Sequence, residues 1–335
     1  MMKTFEPIEI GGLHLKNRVG VAPMCTYLCE KKDGVANDFH FTHYTNLALG
    51  QPGLIIQEAT TVNEFGYISD HCLGIFNPRQ KEALTHMVSL VHRYDTKIGI
   101  QLAHAGNKAK RSNTPKYGPM DEDGVIGMSH ADIDKFVQDF ANAAKAARAC
   151  GYDFVEIHGA HGYLINQFLT PLVNQRSDEY GQDRTLFLKR VVQAVVKAFE
   201  GPVFIRLSGD EYDPTGNSVE DIQKIGELCL NLGVCLLNIS SGGLRNIPVV
   251  KPLYQVHLAT QMKQATHGPV ATAGLITEPE QIANIIDTNQ SDIVLLGRKF
   301  LQDPYFLIKW KYKEGLVEDK DVFPYFLRGL KTVNS

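Results

Sequence analysis

Two histidines and a tyrosine follow one apolar segment closely enough to act on the same ligand. In Glu156-Ile-His158-Gly-Ala-His161-Gly-Tyr163 only small residues separate them, and small residues let the backbone approach a ligand. Two imidazoles that converge on one oxygen can stabilise negative charge there, and a tyrosine can donate a proton. A His-x-x-His pair is also typical of half a metal site or of two packed histidines. For Tyr163, the alternative to proton donation is a role in aromatic packing alone.

A second group of special residues lies late in the chain. The segments Ala271-Thr-Ala-Gly274 and Gly297-Arg298 each end a short apolar run. Small residues there allow backbone N–H groups to surround a phosphate, and an arginine supplies positive charge. The pattern indicates a phosphorylated ligand or cofactor, although many unrelated barrels share such a site.

The elements that must position these groups are short apolar strands alternating with helical segments. A helix is predicted over residues 131–150, for example, because Ser129 and Asp132 resemble a capping box. Eight strands in this length favour a closed (β/α)8 TIM barrel over an open doubly wound sheet, and no G-x-G-x-x-G follows the first strand. The predicted strands span residues 18–22, 54–57, 97–102, 154–158, 203–207, 235–240, 270–273 and 293–296.

Barrel enzymes build their sites at the carboxyl ends of the strands. All eight predicted strands end in polar or otherwise special residues. The ends are Pro23-Met24-Cys25, Glu58-Ala59, Gln101, 158–161, Arg206, Ser240-Ser241-Gly242, Ala273-Gly274 and Gly297-Arg298. Residues 1–17, with Gly11-Gly12 at a turn, predict a β-hairpin at the barrel bottom. Residues 104–128 lack clear periodicity and are interpreted as a lid or substrate loop.

Composition excludes several classes of partner. The net charge is −3 and the basic residues form no cluster, so neither nucleic acid nor an anionic membrane is expected to bind. The chain has no long apolar run and no signal-peptide core at its start, which predicts a cytoplasmic protein. The six cysteines are interpreted as reduced thiols. No second cysteine pair completes a metal set with Cys25 and Cys29, so no metal is expected.

Five ordered motifs resemble the old yellow enzyme family of FMN-dependent ene-reductases, in particular its small bacterial, thermophilic-like branch. The motifs are Ala22-Pro-Met-Cys25-Thr-Tyr27, Gln101-Leu-Ala-His-Ala-Gly106, the His158 to Tyr163 segment, Pro171-Leu-Val-Asn-Gln-Arg176-Ser-Asp-Glu-Tyr180-Gly, and Gly297-Arg298. The resemblance spans nearly the whole chain. It implies a single FMN-binding barrel domain over residues 1–335, with the hairpin at 1–17 and a C-terminal tail at 314–335.

The resemblance implies a noncovalent FMN that NADPH or NADH reduces. Arg206 would lie near N1 and O2 of the flavin and stabilise its anionic reduced form; pairing with Glu58 or Glu156 is the structural alternative. Cys25 would tune the redox potential and contact the substrate, where the alternative is a small buried apolar residue. The implied cofactor-binding residues are Ala22, Pro23, Met24, Cys25, Ala59, Gln101, Arg206, Gly274, Gly297 and Arg298.

The same resemblance implies a small-molecule substrate with an activated alkene. His158 and His161 would bind its carbonyl oxygen, with Tyr27 as a further donor, and Tyr163 or solvent would protonate the α-carbon. With Cys25, these are the implied catalytic residues. Arg328, in the C-terminal segment, would reach the site of a neighbouring subunit in a homodimer or homotetramer.

The function implied is an NAD(P)H oxidoreductase that reduces the C=C bond of α,β-unsaturated carbonyl compounds by a ping-pong cycle. Two alternatives stay open. One is a dienoyl-CoA reductase-like or other FMN barrel dehydrogenase, which the lack of any cysteine beyond Cys235 disfavours because the multidomain enzymes carry an iron–sulfur cluster. The other is a non-catalytic flavin sensor.

Overall fold

Eight parallel strands close into a barrel in the computed structural model, which describes residues 2–317, 322 and 324–331. The barrel order is β3-β4-β5-β8-β9-β10-β11-β12 and back to β3. The predicted (β/α)8 barrel is therefore confirmed, and each of the eight predicted strands overlaps an observed one. The strands are β1 (Ile8–Ile10), β2 (Leu13–Leu15), β3 (Val19–Val21), β4 (Leu54–Thr61), β5 (Lys97–Ala103), β6 (Lys116–Gly118), β7 (Val125–Gly127), β8 (Phe154–Gly159), β9 (Val203–Ser208), β10 (Leu236–Ser240), β11 (Val270–Thr272) and β12 (Ile293–Leu296).

Helices follow the barrel strands, and the amino end of α3 carries the predicted cap. Ser129 caps α3 in a capping box with Asp132, as its sequence predicts. In the described part of the chain, no helix is both long and apolar enough to cross a membrane. The helices are α1 (Asp38–Leu49), α2 (Pro78–His92), α3 (His130–Ala149), α4 (Leu164–Leu169), α5 (Glu179–Gln182), α6 (Leu186–Phe199), α7 (Val219–Asn231), α8 (Val256–Thr266), α9 (Pro279–Asp287), α10 (Arg298–Gln302), α11 (Phe306–Lys313) and α12 (Pro324–Lys331).

The hairpin β1–β2 closes the bottom of the barrel, as predicted. Gly11 and Gly12 turn it with φ of +57° and +81°, a left-handed conformation that favours glycine. A Cβ on Gly11 would lie 2.4 Å from the Sγ of Cys235, which directly precedes β10. The apolar side chains of the hairpin pack with Phe154 and Phe204 inside the barrel. That packing leaves the carboxyl ends of the strands as the open mouth.

Strand β4 is longer than its apolar pattern predicts. The prediction ends the strand at Gln57 and places Glu58 and Ala59 beyond it, which is wrong. The register against β5 shifts between Gln57 and Thr60, so Glu58 and Ala59 form a bulge inside the strand. The buried carboxylate of Glu58 accepts hydrogen bonds from the backbone N–H of Thr26 (2.9 Å) and its hydroxyl (3.0 Å). These bonds allow a polar residue to continue a buried strand.

Candidate active site

A cavity of about 230 Å³ lies at the mouth beside the ends of β3, β11 and β12, and we call it the phosphate cavity. Its described lining residues include three cations and no acidic residue. A cavity with this charge suits a bound phosphate. The lining residues that bear on this are Ala22, Pro23, Met24, Arg206, Gln255, Gly274, Gly297, Arg298 and Lys299.

Two glycines let the backbone itself form the wall of the phosphate cavity. Gly274 has φ of +126°, where other residues are strained, and a Cβ there would lie 3.1 Å from the Gln255 side chain. A Cβ on Gly297 would lie 3.1 Å from the Sδ of Met24. A side chain at either position would crowd these neighbours, whereas glycine leaves the backbone open to a ligand. The geometry therefore fits the phosphorylated cofactor that the sequence predicts.

A buried carboxylate organises the barrel interior beneath the mouth. Glu156 accepts hydrogen bonds from the side-chain amides of Gln101 (2.7 Å) and Asn238 (2.8 Å). Burial raises the pKa of Glu156, and the positive charge of Arg206 opposes that rise. Because the amide nitrogen of Gln101 donates to Glu156, Gln101 offers its carbonyl oxygen to a ligand N–H. Of the two carboxylates considered as partners of Arg206, Glu156 is the one that interacts with it electrostatically.

His158 is a neutral hydrogen-bond donor. Its Nδ1 accepts from the backbone N–H of Ala160 at 3.2 Å, so the neutral ring carries its proton on Nε2. Burial, with a contribution from Arg206, lowers the pKa of His158 to about 3. The ring lies edge to face with His161 (centroids 5.1 Å apart) and with Tyr163 (5.0 Å). The three side chains of the opening motif are thus brought together.

His161 is held by the neighbouring strand ends. Its backbone N–H donates to Ser208 at 3.0 Å, and its Nε2 is 2.8 Å from the hydroxyl of Ser240, which also accepts from Arg206 Nε at 3.2 Å. Burial lowers the pKa of His161 well below its ordinary value. His161 and Tyr27 both have left-handed backbone, with φ of +59° and +55°. Non-glycine residues in this region are concentrated at functional sites.

A cavity of about 520 Å³ adjoins this group, and we call it the substrate cavity. Tyr27 and Tyr163 line it together with Lys108 and Lys116 from the region 104–128. That region contains the short strands β6 and β7 and is therefore more regular than its sequence suggests. Lys108 donates to the carbonyl oxygens of His161 (3.0 Å) and Gly243, so this loop is bound to the histidine segment.

The structure also shows where the predicted residues Ala59, Cys25 and Arg328 lie. It contains further residues near the site that the sequence analysis did not name. Ala59 lies in the bulge of β4 and is buried. Cys25 is partly exposed at the mouth. Arg328 lies on α12 with an exposed side chain, and it lines neither mouth cavity. The residues that the sequence analysis missed include Gln255, which lines the phosphate cavity, and Asn238, which donates to Glu156. Their positions in the sequence carry no signal of a site.

The predicted alternative of a metal half-site at the two histidines can be compared with the structure. Among the described residues, the group of three side chains close enough to share an ion comprises His130, Asp178 and Glu179. That group includes neither His158 nor His161. Within the described part of the chain, the pair therefore has no neighbouring third ligand of the kind a metal centre requires.

A family model described as NADH:flavin oxidoreductase / NADH oxidase matches residues 3–316. The chain belongs to this family. It is 40% identical over 315 residues to an NADPH dehydrogenase of Listeria welshimeri, covering 91% of this chain and 93% of that one. It is 41% identical over 317 residues to an NADPH dehydrogenase of Geobacillus thermodenitrificans, covering 92% of each.

Solved structures agree with this assignment. Morphinone reductase in complex with tetrahydroNAD is 26% identical and aligns with a TM-score of 0.79, covering 95% of this chain and 93% of that one. An old yellow enzyme homologue from Zymomonas mobilis shares the fold with a TM-score of 0.82 at 24% identity, covering 95% and 94%. The chain is an NAD(P)H-dependent flavin oxidoreductase, and its cofactor is FMN.

Buried neutral histidines make the folded state sensitive to acid. Burial lowers the pKa of His40 to about 4 and those of His104 and His158 to about 3. Below the unfolded pKa near 6.5, the unfolded chain takes up protons that the folded chain does not. These histidines therefore do not lower the free energy of unfolding above this pH, and they lower it increasingly as the pH falls. By about pH 5 each histidine costs about 2 kcal/mol. Glu58 partly offsets the loss because burial raises its pKa to about 7.

We expect His104→Gln to reduce this acid sensitivity. The histidine is fully buried, its Nδ1 accepts from the N–H of Gly106 at 3.1 Å, and its Nε2 has no partner. A glutamine oxygen can accept the same bond and does not titrate. Urea unfolding at about pH 7.5 and about pH 5 should show a loss of stability that is about 2 kcal/mol smaller in the variant. Equal losses in the variant and the parent would contradict the assignment.

Proposed function

We propose that the protein reduces the C=C bond of α,β-unsaturated carbonyl compounds. The observation that carries the proposal is the pair of neutral imidazoles, His158 and His161, packed against each other. Tyr163, which lines the substrate cavity, packs against His158. Arg206, which lines the phosphate cavity, shares the Ser240 hydroxyl with His161. Neutral N–H donors stabilise a developing oxyanion without having to lose a proton first. The arrangement suits a carbonyl oxygen that becomes enolate-like.

In this proposal each residue of the site has a separate role. Bound FMN supplies the hydride that it takes from NADPH or NADH. His158 would donate to the carbonyl oxygen through Nε2. His161 would donate through Nδ1, with the Ser240 hydroxyl donating to its Nε2, and Tyr27 would offer a further hydroxyl. Arg206 would place positive charge near the pyrimidine edge of bound FMN, and Gln101 would accept a hydrogen bond from a flavin N–H. The phosphate is assigned to Gly274, Gly297 and Arg298.

Tyr163 is assigned the proton that the α-carbon receives. Burial raises its pKa to about 12, so the phenol stays protonated at neutral pH and is a weak acid that can be recharged from solvent. We expect Tyr163→Phe to lower the rate of enone reduction about tenfold to a hundredfold and to leave flavin reduction by NADPH nearly unchanged. Stopped-flow traces of both half-reactions measure this. A variant as fast as the parent would assign protonation to solvent.

The function itself is tested with the FMN-loaded protein under anaerobic conditions. NADPH or NADH should bleach the flavin absorbance, and cyclohexenone should restore it. Failure of the first half-reaction would point to a flavin sensor. Success of the first and failure of the second, across a panel of enones, enals and nitroalkenes, would show that the electrons go to another class of acceptor.

We also propose a cytoplasmic homodimer or homotetramer in which Arg328 of one subunit reaches the site of another. The exposure of Arg328 on α12 supports the idea. Light scattering after gel filtration reports the assembly. Arg328→Ala should raise the KM for enones without changing the mass, and an unchanged KM in a multimer would remove the arginine from the site.

A further inference from the structure

Three lysines surround the substrate cavity. Lys108, Lys110 and Lys116 line it, and there is no carboxylate among its described lining residues. The sequence analysis named none of the three as a site residue. Because the carbonyl oxygen of the proposed substrate is assigned to His158 and His161, these positive charges are available for a different part of the ligand.

The fold of the region 104–128 brings two of these lysines to the same cavity. Lys108 ends a short 3₁₀ helix, and Lys116 begins β6. Strand β6 packs against that helix, since a Cβ on Gly118 would lie 3.5 Å from the Cβ of Asn107. The two lysines therefore line one cavity although several residues separate them in the sequence.

Hydrogen bonds hold the ammonium group of Lys108 in place. It donates to the carbonyl oxygens of His161 (3.0 Å) and Gly243, and its Nζ lies 5.8 Å from the centroid of the Tyr163 ring. An ammonium group has three N–H donors, so one donor remains beyond these two bonds to described residues. A donor that is already held in place suits an anionic oxygen, because binding then orders fewer side-chain rotamers.

The charges of the three lysines are not balanced by the protein. Other lysines pair with carboxylates, as Lys135 does with Asp139 at 2.7 Å. Within the described part of the chain, Lys108, Lys110 and Lys116 have no ion-pair partner. Burial lowers the pKa of Lys108, and the positive charge of Lys110 lowers it further. An anion in the cavity would relieve this repulsion.

One carboxylate, that of Asp70, directly follows the lining residue Ser69 but has other partners. It accepts hydrogen bonds from the backbone N–H of Ser112 (3.0 Å) and from its hydroxyl (2.7 Å), and the Nζ of Lys32 lies 3.8 Å from it. Asp70 is thus engaged with Ser112 and Lys32, and the charge of the cavity stays positive.

We propose that the substrate cavity selects an alkene that carries a carboxylate or phosphate group, and that Lys108, Lys110 and Lys116 bind this group. The inference rests on the proposed function, because it takes the carbonyl oxygen to be held by the two histidines. A cavity of about 520 Å³ has the size that holds one small organic molecule. Positive charge at its wall also attracts an anionic ligand from solution.

The experiment first measures binding without turnover. The FMN-loaded full chain is titrated in a calorimeter with 4-formylbenzoate and with its methyl ester, neither of which has an alkene to reduce. The acid should bind about tenfold more tightly than the ester. In the double variant Lys110→Gln, Lys116→Gln this ratio should fall to about one, because glutamine keeps a polar side chain of similar length and removes the charge.

Two further variants are matched to this one. Lys110→Arg with Lys116→Arg keeps both charges and should keep the preference for the acid. Lys145→Gln removes an exposed lysine of α3 that lines neither mouth cavity, and it should leave the ratio as in the parent. The same variants are then compared in the reduction of 4-carboxycinnamaldehyde and its methyl ester, where the ratio of kcat/KM values should follow the ratio of affinities.

Three results would overturn the inference. One is equal affinity of the parent protein for the acid and the ester. The second is a preference for the acid that the double glutamine variant retains. The third is a double glutamine variant that loses only the rate of flavin reduction by NADPH, and not by NADH, because the lysines would then bind the additional phosphate of NADPH. Selective binding of the acid by a protein that reduces no enal would support the anion site and contradict the proposed reaction, so the two can fail separately.

Discussion

Replacing His158 and His161 together by alanine is expected to slow enone reduction about a thousandfold while FMN stays bound. Removing a single oxyanion donor typically costs a factor of a hundred to a thousand, and the two rings are proposed to hold the same oxygen. The protein is first reduced with dithionite, which bypasses the nicotinamide, and then mixed with cyclohexenone in a stopped-flow instrument. This isolates the step in which the carbonyl is bound.

Matched variants separate donation from packing. His158→Asn with His161→Asn keeps an N–H donor at each position, so it should recover part of the lost rate. His14→Ala removes an exposed histidine of the hairpin, at the opposite end of the barrel, and should change nothing. A double alanine variant that reduces cyclohexenone within a factor of about three of the parent would contradict the carbonyl-binding role.

Arg206→Met is expected to weaken FMN binding about a hundredfold and to destabilise the fold. The buried carboxylate of Glu156 would lose its nearby positive charge, and leaving one buried charge uncompensated costs about 3 to 5 kcal/mol. The proposed flavin contact would be lost as well, which corresponds to about 2.7 kcal/mol of binding free energy. FMN fluorescence titration measures the first effect, and urea unfolding of the FMN-free protein measures the second.

The double variant Arg206→Met, Glu156→Gln distinguishes the two effects. Glutamine removes the uncompensated charge, so the stability should largely return. The glutamine oxygen in this variant can still accept the hydrogen bond from Asn238. Its NH2 group cannot accept a hydrogen bond, so Gln101 is no longer held with its own NH2 group as the donor. FMN binding should therefore remain weak. Recovery of FMN binding along with stability would show that Arg206 only balances Glu156 and makes no contact with the cofactor.

The fold could be predicted from the sequence because its signals are local. Strand periodicity, helix caps such as Ser129, and the glycine turn of the hairpin each act within a few residues. The opening motif is local as well, since His158, His161 and Tyr163 lie within six positions of one another. The bulge in β4 was missed because its stability depends on a distant residue, Thr26, that satisfies Glu58.

The sequence by itself thus determined the eight-stranded barrel and the local motifs that follow most of its strands. Only the tertiary structure decided which of those groups touch. Closing the barrel places Glu156 between Gln101 and Asn238, on three different strands. Contacts between separate strands depend on register and on loop packing, which residue type and spacing do not encode. For that reason the proposed catalytic motif is visible in the sequence, whereas the hydrogen-bond network that supports it is not.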